Sequence, residues 1–338
     1  MRILIATYAN RGITSMGVGR YYNKIADILE KQGHELHFFN HPTPLALEKT
    51  TLKKTLIPMF AGIKSKRFEE MYRAVQPHVV HIQSEMGLGV SARRFCVENA
   101  IPYSSAYHTN LDIGMRQWML LPSRLVWAYL RWFYKPAALI HACTPRIQQH
   151  LNNNGIQNQI RTFPLGVDLE EFYYDPDASL LKNYPRPYFM SLARIAKEKN
   201  LEGFLDLELP GTKFVIGEGP HKKYLQKKYS KKVVFLPYKN VRQILSLGDV
   251  LVTASRFDTF GLTNLEALAC GLPVAGYPVM GPMDIVEEGV SGFISENLAE
   301  AAIACLALKK EDCIQRAKLF SWEKTAENFL QHQVLIHS

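Results

Sequence analysis

Two acidic residues bracket an apparent helix start in the segment from Asp258 to Glu266, which reads D-T-F-G-L-T-N-L-E and follows a strand-like apolar run. The first N–H groups of a helix have no acceptor within the helix and carry partial positive charge. We therefore expect the backbone amides of Phe260, Gly261 and Leu262 to bind phosphate or sugar oxygens.

Glu266 lies on the helix that this segment opens. At about 100° per residue, its side chain falls at the margin of the apolar stripe of that helix rather than on the wet face. A carboxylate in such a place needs hydrogen-bond donors, which the diol of a ribose would supply. The alternative is a carboxylate paired with a neighbouring Arg or a backbone amide.

Asp258 and Glu266 also invite comparison with the acid pair of a glycoside hydrolase. In one helix their backbones would be about 12 Å apart at 1.5 Å per residue. Hydrolase carboxyls lie roughly 5 to 9.5 Å apart. Because side chains can shorten the separation, the spacing disfavours hydrolysis without excluding it.

Two cations, Arg194 and Lys199, follow the strand-like run from Tyr188 to Ala193. In open α/β sheets, ligands bind beyond the carboxyl ends of the strands. We predict that the two cations clamp a diphosphate, each charge-assisted hydrogen bond contributing roughly 1.5 to 3 kcal/mol. A solvated basic loop is the other interpretation.

A glycine pair, Gly17 and Gly19, stands at the start of the first helical segment. Tyr22 occupies the third glycine position of the dinucleotide-binding pattern, and no acid follows the second strand-like run, Glu35 to Phe39. These departures argue against a dinucleotide-dependent dehydrogenase. A glycine at this place still lets the backbone approach a phosphate closely.

His108 follows an apparent strand from Tyr103 to Ala106, at the predicted ligand-binding edge of the N-terminal half. A histidine there can donate a hydrogen bond to a substrate hydroxyl or carbonyl. A purely structural histidine is the alternative.

Strand-like and helical runs alternate along the whole chain of 338 residues, which predicts two doubly wound α/β domains. We expect an N-terminal domain over 1–168, a C-terminal domain over 169–320 and an amphipathic terminal helix over 321–338. A Pro- and Asp-containing stretch, 174–187, connects the two domains.

The formal net charge is +9, which attracts phosphates, nucleic acid or anionic lipid, or simply keeps the protein soluble. The five scattered cysteines predict neither disulfides nor a zinc site. No apolar run approaches the roughly 20 residues of a spanning helix, so we expect a cytoplasmic location. The nucleic-acid-binding alternative ranks low because zinc-finger, RNA-recognition and basic-zipper patterns are missing from the sequence.

Together these motifs appear in the order seen in retaining glycosyltransferases of family 4, and the resemblance covers nearly the whole chain. They are Gly17-Val18-Gly19, His108-Thr109, Gly166-Val167-Asp168, Arg194 with Lys199, Gly217-Glu218-Gly219-Pro220 and the D-x-F-G-x-x-x-x-E segment. The resemblance implies the α/β GT-B fold, in which two Rossmann-like doubly wound domains face each other and a last helix crosses back to the N-domain.

The resemblance also implies roles in a retaining hexosyltransferase that needs neither a metal nor a cofactor. Catalysis would involve His108, Asp258, Arg194 and Lys199. In the same scheme Glu266 binds the donor ribose and Gly17 admits the β-phosphate. Asp258 and the amides at 260–262 hold the transferred sugar, and His108 contacts that sugar. Cations stabilise charge that develops on a departing diphosphate.

The implied reaction moves mannose or glucose from a GDP or UDP donor to a lipid-linked or glycan hydroxyl, as in α-mannosyltransferases and diacylglycerol or sulfolipid sugar transferases. The family's usual Glu is Asp258 here, and Ala193 and Pro237 replace common glycines, which leaves the sugar and the base open. A nucleotide-sugar epimerase is the alternative enzyme.

Aromatic and basic residues alternate from Arg116 to Lys135, and further lysines flank the apolar run 56–61. Such stretches suit peripheral contact with an anionic membrane, here its inner face, or equally a core helix whose cations reach out to water. The flanking cations are Lys53, Lys54, Lys64, Lys66 and Arg67.

Overall fold

The computed structural model describes residues 1–8, 17–40, 65–113, 115, 121–230 and 232–336. The chain forms two compact units. The first contains Met1–Pro164 together with Trp322–Ser338, and the second contains Leu165–Ser321.

A six-stranded parallel sheet forms the centre of the first unit, in the order β2-β1-β3-β4-β5-β6. Three of its central strands, β3, β4 and β5, are buried along their length, polar residues included, because a parallel sheet is covered on both faces. The strands are β1 (Arg2–Ala6), β2 (Glu35–Phe39), β3 (Val79–Ile82), β4 (Ser104–Tyr107), β5 (Leu139–Ala142) and β6 (Ile160–Thr162).

Helices connect these strands, and each described one buries a single face. On α1 (Gly17–Lys31) the buried residues include Tyr21, Tyr22, Ile25 and Leu29, whose spacing places them on one side of the helix. The other helices are α2 (Ser65–Val75), α3 (Leu88–Glu98), α4 (Ser123–Tyr134) and α5 (Pro145–Asn153).

The second unit repeats the plan with the parallel strand order β12-β11-β10-β7-β8-β9. Its strands are β7 (Tyr188–Leu192), β8 (Thr212–Ile216), β9 (Val233–Leu236), β10 (Val250–Thr253), β11 (Val274–Gly276) and β12 (Gly292–Ile294). Its helices are α6 (Glu202–Leu205), α7 (Lys222–Tyr229), α8 (Val241–Leu247), α9 (Leu262–Ala269), α10 (Pro282–Ile285), α11 (Leu298–Cys305) and α12 (Lys310–Lys318).

The last helix, α13 (Trp322–Gln331), belongs to the first unit. Its Phe329 is fully buried, and the ring contacts those of Tyr22, His81 and His141. The chain leaves the helical conformation between α12 and α13. There the carbonyl of Phe320 accepts a hydrogen bond from the N–H of Val167 at 3.0 Å.

Each sheet has one place where the strand order reverses, between β1 and β3 in the first unit and between β7 and β10 in the second. Loops that leave neighbouring strands in opposite directions open a crevice there, and this crevice is the usual ligand site of an open α/β sheet. Among the described helices, none is both long and apolar enough to cross a bilayer.

Candidate active site

The crevice between β7 and β10 is shaped by Asn200, which joins the loops that follow the two strands. Its Nδ2 donates to the carbonyl of Ala254 at 2.9 Å, and its backbone is left-handed with φ of 48°. A short 3-10 turn, Lys197–Lys199, precedes it. The loop after β7 is thus held against the loop after β10, and Lys199 lies at the junction.

Lys199 and Asp258, predicted from sequence as separate site residues, are brought together. The Nζ of Lys199 is 3.4 Å from Oδ2 of Asp258, and both side chains remain partly exposed. The other oxygen of Asp258, Oδ1, accepts from the N–H groups of Thr259 at 2.8 Å and Phe260 at 3.4 Å. A cation, a carboxylate and a backbone amide therefore meet just before the start of α9.

Two glycines form this helix start. Gly261 has a φ of 86°, in the left-handed region, and a β-carbon on it would lie 2.6 Å from Nδ2 of Asn264. Gly281, in the loop after β11, has a φ of 90°, and a β-carbon there would lie 2.6 Å from the carbonyl oxygen of Phe260. The loop after β11 therefore packs directly against the backbone at 260–262, and only a glycine at 281 allows so close an approach.

Glu266 lies one turn into α9 and is buried. The sequence placed it at the margin of the apolar stripe, and the structure puts it inside. The pKa of Cys270, four residues further on, is raised to about 12, mainly by burial and in part by the charge of Glu266. A buried carboxylate on the helix that begins at the crevice fits the predicted ribose contact, and it equally fits a carboxylate held by the protein.

Arg194 is not joined to the Lys199–Asp258 pair. Its guanidinium forms an ion pair with Glu198, four residues along the same loop, and its side chain is 62% exposed. Glu198 is 20% exposed, so the pair is only partly in contact with solvent. The exposed guanidinium of Arg194 is the side of the pair that a bound anion can reach.

A third loop, from Gly217 to Gly219, supports Arg194 from the β8 side. The N–H of Ile195 donates to the carbonyl of Glu218 at 2.9 Å. A β-carbon on Gly217 would lie 2.1 Å from the carbonyl oxygen of Ala193, and one on Gly219 would lie 2.3 Å from that of Ile195. These contacts explain the G-E-G-P motif as a close packing of two loops.

In the first unit, Gly17 is the first residue of α1 and His108 directly follows β4. The same helix carries Tyr21, whose ring centroid is 4.6 Å from that of His108. Burial, with a smaller contribution from His141, lowers the pKa of His108 to about 3. The imidazole is therefore neutral at physiological pH, a form in which one ring nitrogen donates and the other accepts.

Sequence reasoning assigned no role to Asn200 or Gly281, which organise the crevice without carrying charge. Gly281 begins the segment Gly281-Pro282-Met283-Asp284, which resembles that of the mannosyl- and lipid sugar transferases, and a glycine before a proline is a signal of a tight turn. Among the described residues, no cluster of three or more His, Cys, Asp or Glu side chains could hold a metal ion.

Known proteins agree with this architecture. The model of Glycosyltransferase Family 4 matches residues 16–171, and that of Glycosyl transferases group 1 matches residues 177–319. Among solved structures, sucrose-phosphate synthase from Thermosynechococcus elongatus has a TM-score of 0.79 at 19% identity, over 98% of this chain and 97% of that one. Anabaena HepE, solved in complex with UDP and glucose, has a TM-score of 0.72 at 14% identity, over 98% of each chain.

Curated relatives include a sulfoquinovosyl transferase of Arabidopsis thaliana, which is 28% identical over 70% of this chain and 50% of its own length. The chain thus spans half of that plant protein. A GDP-mannose-dependent alpha-mannosyltransferase of Corynebacterium glutamicum is 25% identical over 90% of this chain and 78% of its own. An alpha-monoglucosyldiacylglycerol synthase of Acholeplasma laidlawii is 26% identical over 81% and 79%.

Two six-stranded parallel sheets with flanking helices, together with these likenesses, define a glycosyltransferase of the GT-B fold. The chain belongs to glycosyltransferase family 4, as its motifs indicated. The roles assigned to individual residues stay predictions.

Proposed function

We propose that this enzyme transfers a hexose, mannose or glucose, with retention of configuration, from a nucleotide diphosphate sugar to a lipid-linked or glycan hydroxyl. The observation that supports this most directly is the meeting of Lys199, Asp258 and the Phe260 amide at the crevice between β7 and β10, on the helix that carries the buried Glu266.

In the proposed donor complex, the diphosphate binds Lys199 and the amides at 260–262, and Arg194 leaves Glu198 to join it. Asp258 is then released from Lys199 and from the Phe260 amide, so that its carboxylate accepts hydrogen bonds from hydroxyls of the transferred sugar. Glu266 accepts hydrogen bonds from the ribose diol. Fixed cations and helix-start dipoles can supply the charge stabilisation that a metal provides elsewhere.

The proposed reaction breaks the bond between the sugar's anomeric carbon and the phosphate oxygen and forms one from that carbon to the acceptor oxygen. The acceptor attacks from the face that the phosphate leaves, and the departing phosphate takes the acceptor's proton. Lys199 and Arg194 stabilise the negative charge of the diphosphate as the bond breaks. A neutral His108 donates a hydrogen bond to the sugar without adding charge.

The names of the relatives support both donors and a lipid acceptor. One relative is GDP-mannose-dependent, one makes a glucosyldiacylglycerol, and a structural neighbour was solved with UDP and glucose. Family membership favours transfer over the epimerase and nucleic-acid alternatives. For this chain, titration with nucleotides and nucleotide sugars distinguishes the bases and the sugars, and a transfer assay distinguishes the acceptors.

We also propose that α4 contacts an anionic membrane surface. Its outer face exposes Leu125 and, at 47%, Trp132. The guanidinium of Arg93 lies 3.9 Å from the centroid of the Trp132 ring, and Arg124 and Arg131 add charge on the same helix. The other sequence candidates, Arg116, Trp118, Lys53, Lys54, Lys64 and the run 56–61, lie outside the described residues.

Calorimetric titration with UDP, GDP and their glucose and mannose conjugates tests the donor site. We expect binding of one base series and at least an approximately tenfold loss of affinity in Glu266→Ala, because a hydrogen bond to a charged group contributes roughly 1.5 to 3 kcal/mol. Glu300→Ala is the matched control, since Glu300 is an exposed acid in the first turn of another helix of the same unit.

Incubation of the bound donor with vesicles containing diacylglycerol, or with an alkyl glycoside, then tests transfer. We expect a product whose anomeric configuration, determined by NMR, equals that of the donor. An inverted product would contradict retention, and an epimerised donor in the absence of any acceptor would replace the transferase assignment with the epimerase.

A further inference from the structure

The second crevice of the molecule, between β1 and β3 of the first unit, contains a buried carboxyl group that the donor site does not use. Tyr8 follows β1, Glu85 follows β3 and Asn110 follows the adjacent β4, so all three leave the sheet at its carboxyl edge. Glu85 is only 3% exposed.

Phenol groups surround the Glu85 carboxyl. The hydroxyl of Tyr134 donates to its Oε1 at 2.9 Å, and the hydroxyl of Tyr129 donates to its backbone carbonyl. Tyr8, Tyr22 and Tyr107 lie near enough to interact electrostatically with it, although the hydroxyls of Tyr22 and Tyr107 form hydrogen bonds with His81 and Asp112. Within the described part of the chain, no Lys or Arg forms an ion pair with Glu85; Arg93, near Tyr129, instead donates to the carbonyls of Trp132 and Phe133.

This side chain is held in place by a tight turn. The hydroxyl of Ser84 donates to the carbonyl of Met86 at 2.8 Å, and a β-carbon on Gly89 would lie 1.6 Å from the carbonyl oxygen of Ser84. Only glycine permits that approach, so the backbone of α3 pins the residue that precedes Glu85. The backbone is therefore fixed next to Glu85, and burial together with the hydrogen bond from Tyr134 keeps the carboxyl at the crevice.

Asn110 supplies an independent sign of a ligand. Its residue is 6% exposed, and both its Nδ2 and its Oδ1 are buried without a hydrogen-bond partner in the described structure. A buried polar atom left unsatisfied costs roughly 1 to 3 kcal/mol. A side chain with two such atoms, after the strand that neighbours the one Glu85 follows and at the same edge of the sheet, can bind a polar ligand.

We propose that Glu85 and Asn110 bind hydroxyl groups of the acceptor and select an uncharged polyol over an anionic one. The proposal rests on the proposed function, since it assigns the acceptor side of that reaction. A carboxyl and a carboxamide together can accept from and donate to neighbouring hydroxyls. A phosphate-bearing acceptor would instead meet a carboxylate for which no described cation compensates.

The ionisation of Glu85 gives the proposal a pH signature. Burial raises the pKa of Glu85 to about 7, and burial likewise raises the pKa of each surrounding tyrosine, so the phenols stay neutral. An ionised carboxylate accepts stronger hydrogen bonds than a neutral acid. Polyol binding should therefore tighten as the pH rises through about 7.

Saturation-transfer NMR on the full-length protein tests this with glycerol and methyl α-D-mannopyranoside as neutral probes and glycerol 3-phosphate as the anionic one, without nucleotide. We expect signals from the neutral probes that strengthen between pH 6 and pH 8, and about tenfold weaker binding with no pH dependence in Glu85→Gln. Glu98→Gln is the matched control, because Glu98 is an exposed acid that pairs with Arg94 on α3.

Neutral polyols that fail to bind the native protein, or that bind Glu85→Gln equally well, would overturn the proposal, as would preferential binding of glycerol 3-phosphate. Calorimetric titration of Glu85→Gln with the nucleotide keeps the two proposals apart. Intact nucleotide affinity with lost polyol binding supports both of them, whereas absent nucleotide binding to the native protein would contradict the donor site alone.

Discussion

At the scale of the residue, buried carboxylates are the groups that need an explanation. Glu85 and Glu266 both lie inside their units, and burial of a charge is unfavourable unless donors or cations compensate. Glu85 receives a hydrogen bond from Tyr134, yet its pKa stays well above the ordinary value, so the compensation is incomplete. A residue that weakens the fold while standing at a ligand edge is better explained by binding than by stability.

Glu85→Gln should stabilise the protein in a pH-dependent way. Burial raises the pKa of Glu85 from 4.5 to about 7, so ionisation destabilises the folded state. This penalty is absent below pH 4.5, grows between pH 4.5 and 7, and reaches about 3 kcal/mol above pH 7. Urea unfolding at pH 5 and pH 8 should therefore show the advantage of the variant widening with pH. An equal gain in stability at pH 5 and pH 8 would contradict the ionisation of Glu85 as its cause. A similar gain in Glu98→Gln would do the same.

Position after a strand was enough to nominate Arg194, Lys199 and His108 from the sequence, because the carboxyl edge of a parallel sheet collects such residues, whereas the role of Asp258 came from the family resemblance. The contacts that these residues make in the folded protein could not be predicted from the sequence. The ion pair of Arg194 with Glu198 was not foreseen, and the contact of Lys199 with Asp258 spans 59 residues and depends on the fold. Asn110 was visible only as the end of the His108-Thr109-Asn110 segment, without a role of its own. Glu85 was overlooked because it belongs to no recognisable motif and its burial appears only after folding.

At the scale of the element, most strands were predictable. Glu35–Phe39 has the limits that its apolar run indicated, and the runs from Tyr103 and Tyr188 form strands whose limits differ from those of the runs by one residue. The three-residue strands β6 and β12 were missed, since β6 (I-R-T) includes an exposed arginine and both depend on pairing with a neighbour. The terminal helix predicted over 321–338 begins one residue later, at Trp322, and ends at Gln331.

The contact between the loop after β11 and the start of α9 gives an element-scale prediction. Gly281→Ala should reduce nucleotide-sugar affinity, because the added β-carbon would lie 2.6 Å from the Phe260 carbonyl and displace the amides at 260–262. Gly289→Ala is the control, since that residue also has a positive φ, 73°, but nothing lies within 4 Å of the added carbon. Both variants should lose about 1 kcal/mol of stability from backbone strain.

Calorimetry separates the two effects. Weakened nucleotide binding in Gly281→Ala beside intact binding in Gly289→Ala would support the role of the amides. Equal affinities in the two variants would show that the helix start does not touch the donor.

At the scale of the whole molecule, the net charge is +9, and basic residues cluster on two helices, α4 and α7. On α4, arginines accompany an exposed tryptophan, the combination that suits the boundary between lipid headgroups and acyl chains. On α7, lysines surround Tyr224, but Lys222 and Lys228 are already paired with Glu218 and Glu202. The two surfaces are similar in composition and differ in how much of their charge is available.

This difference can be measured by sedimentation with vesicles. The native protein should bind phosphatidylglycerol vesicles more tightly than phosphatidylcholine vesicles. Trp132→Ala and the double variant Arg124→Gln/Arg131→Gln should weaken that binding, the double variant by roughly 2 kcal/mol at about 1 kcal/mol per basic residue. Tyr224→Ala is the control for an exposed aromatic residue among lysines. Binding that ignores lipid charge, or that depends on Tyr224 instead, would contradict the assignment to α4.

The first unit is built from two separate stretches of the chain, and this affects the order in which the two units can fold during translation. Phe329 and Trp322 fill space against α1 and the histidines of β3 and β5, yet they are synthesised after every residue of the second unit. On the ribosome, the second unit can finish its core while the first still exposes an aromatic surface that awaits its last helix. The half that is translated first is therefore expected to be the half that matures last, and a nascent chain halted before residue 322 should engage chaperones through that uncovered surface.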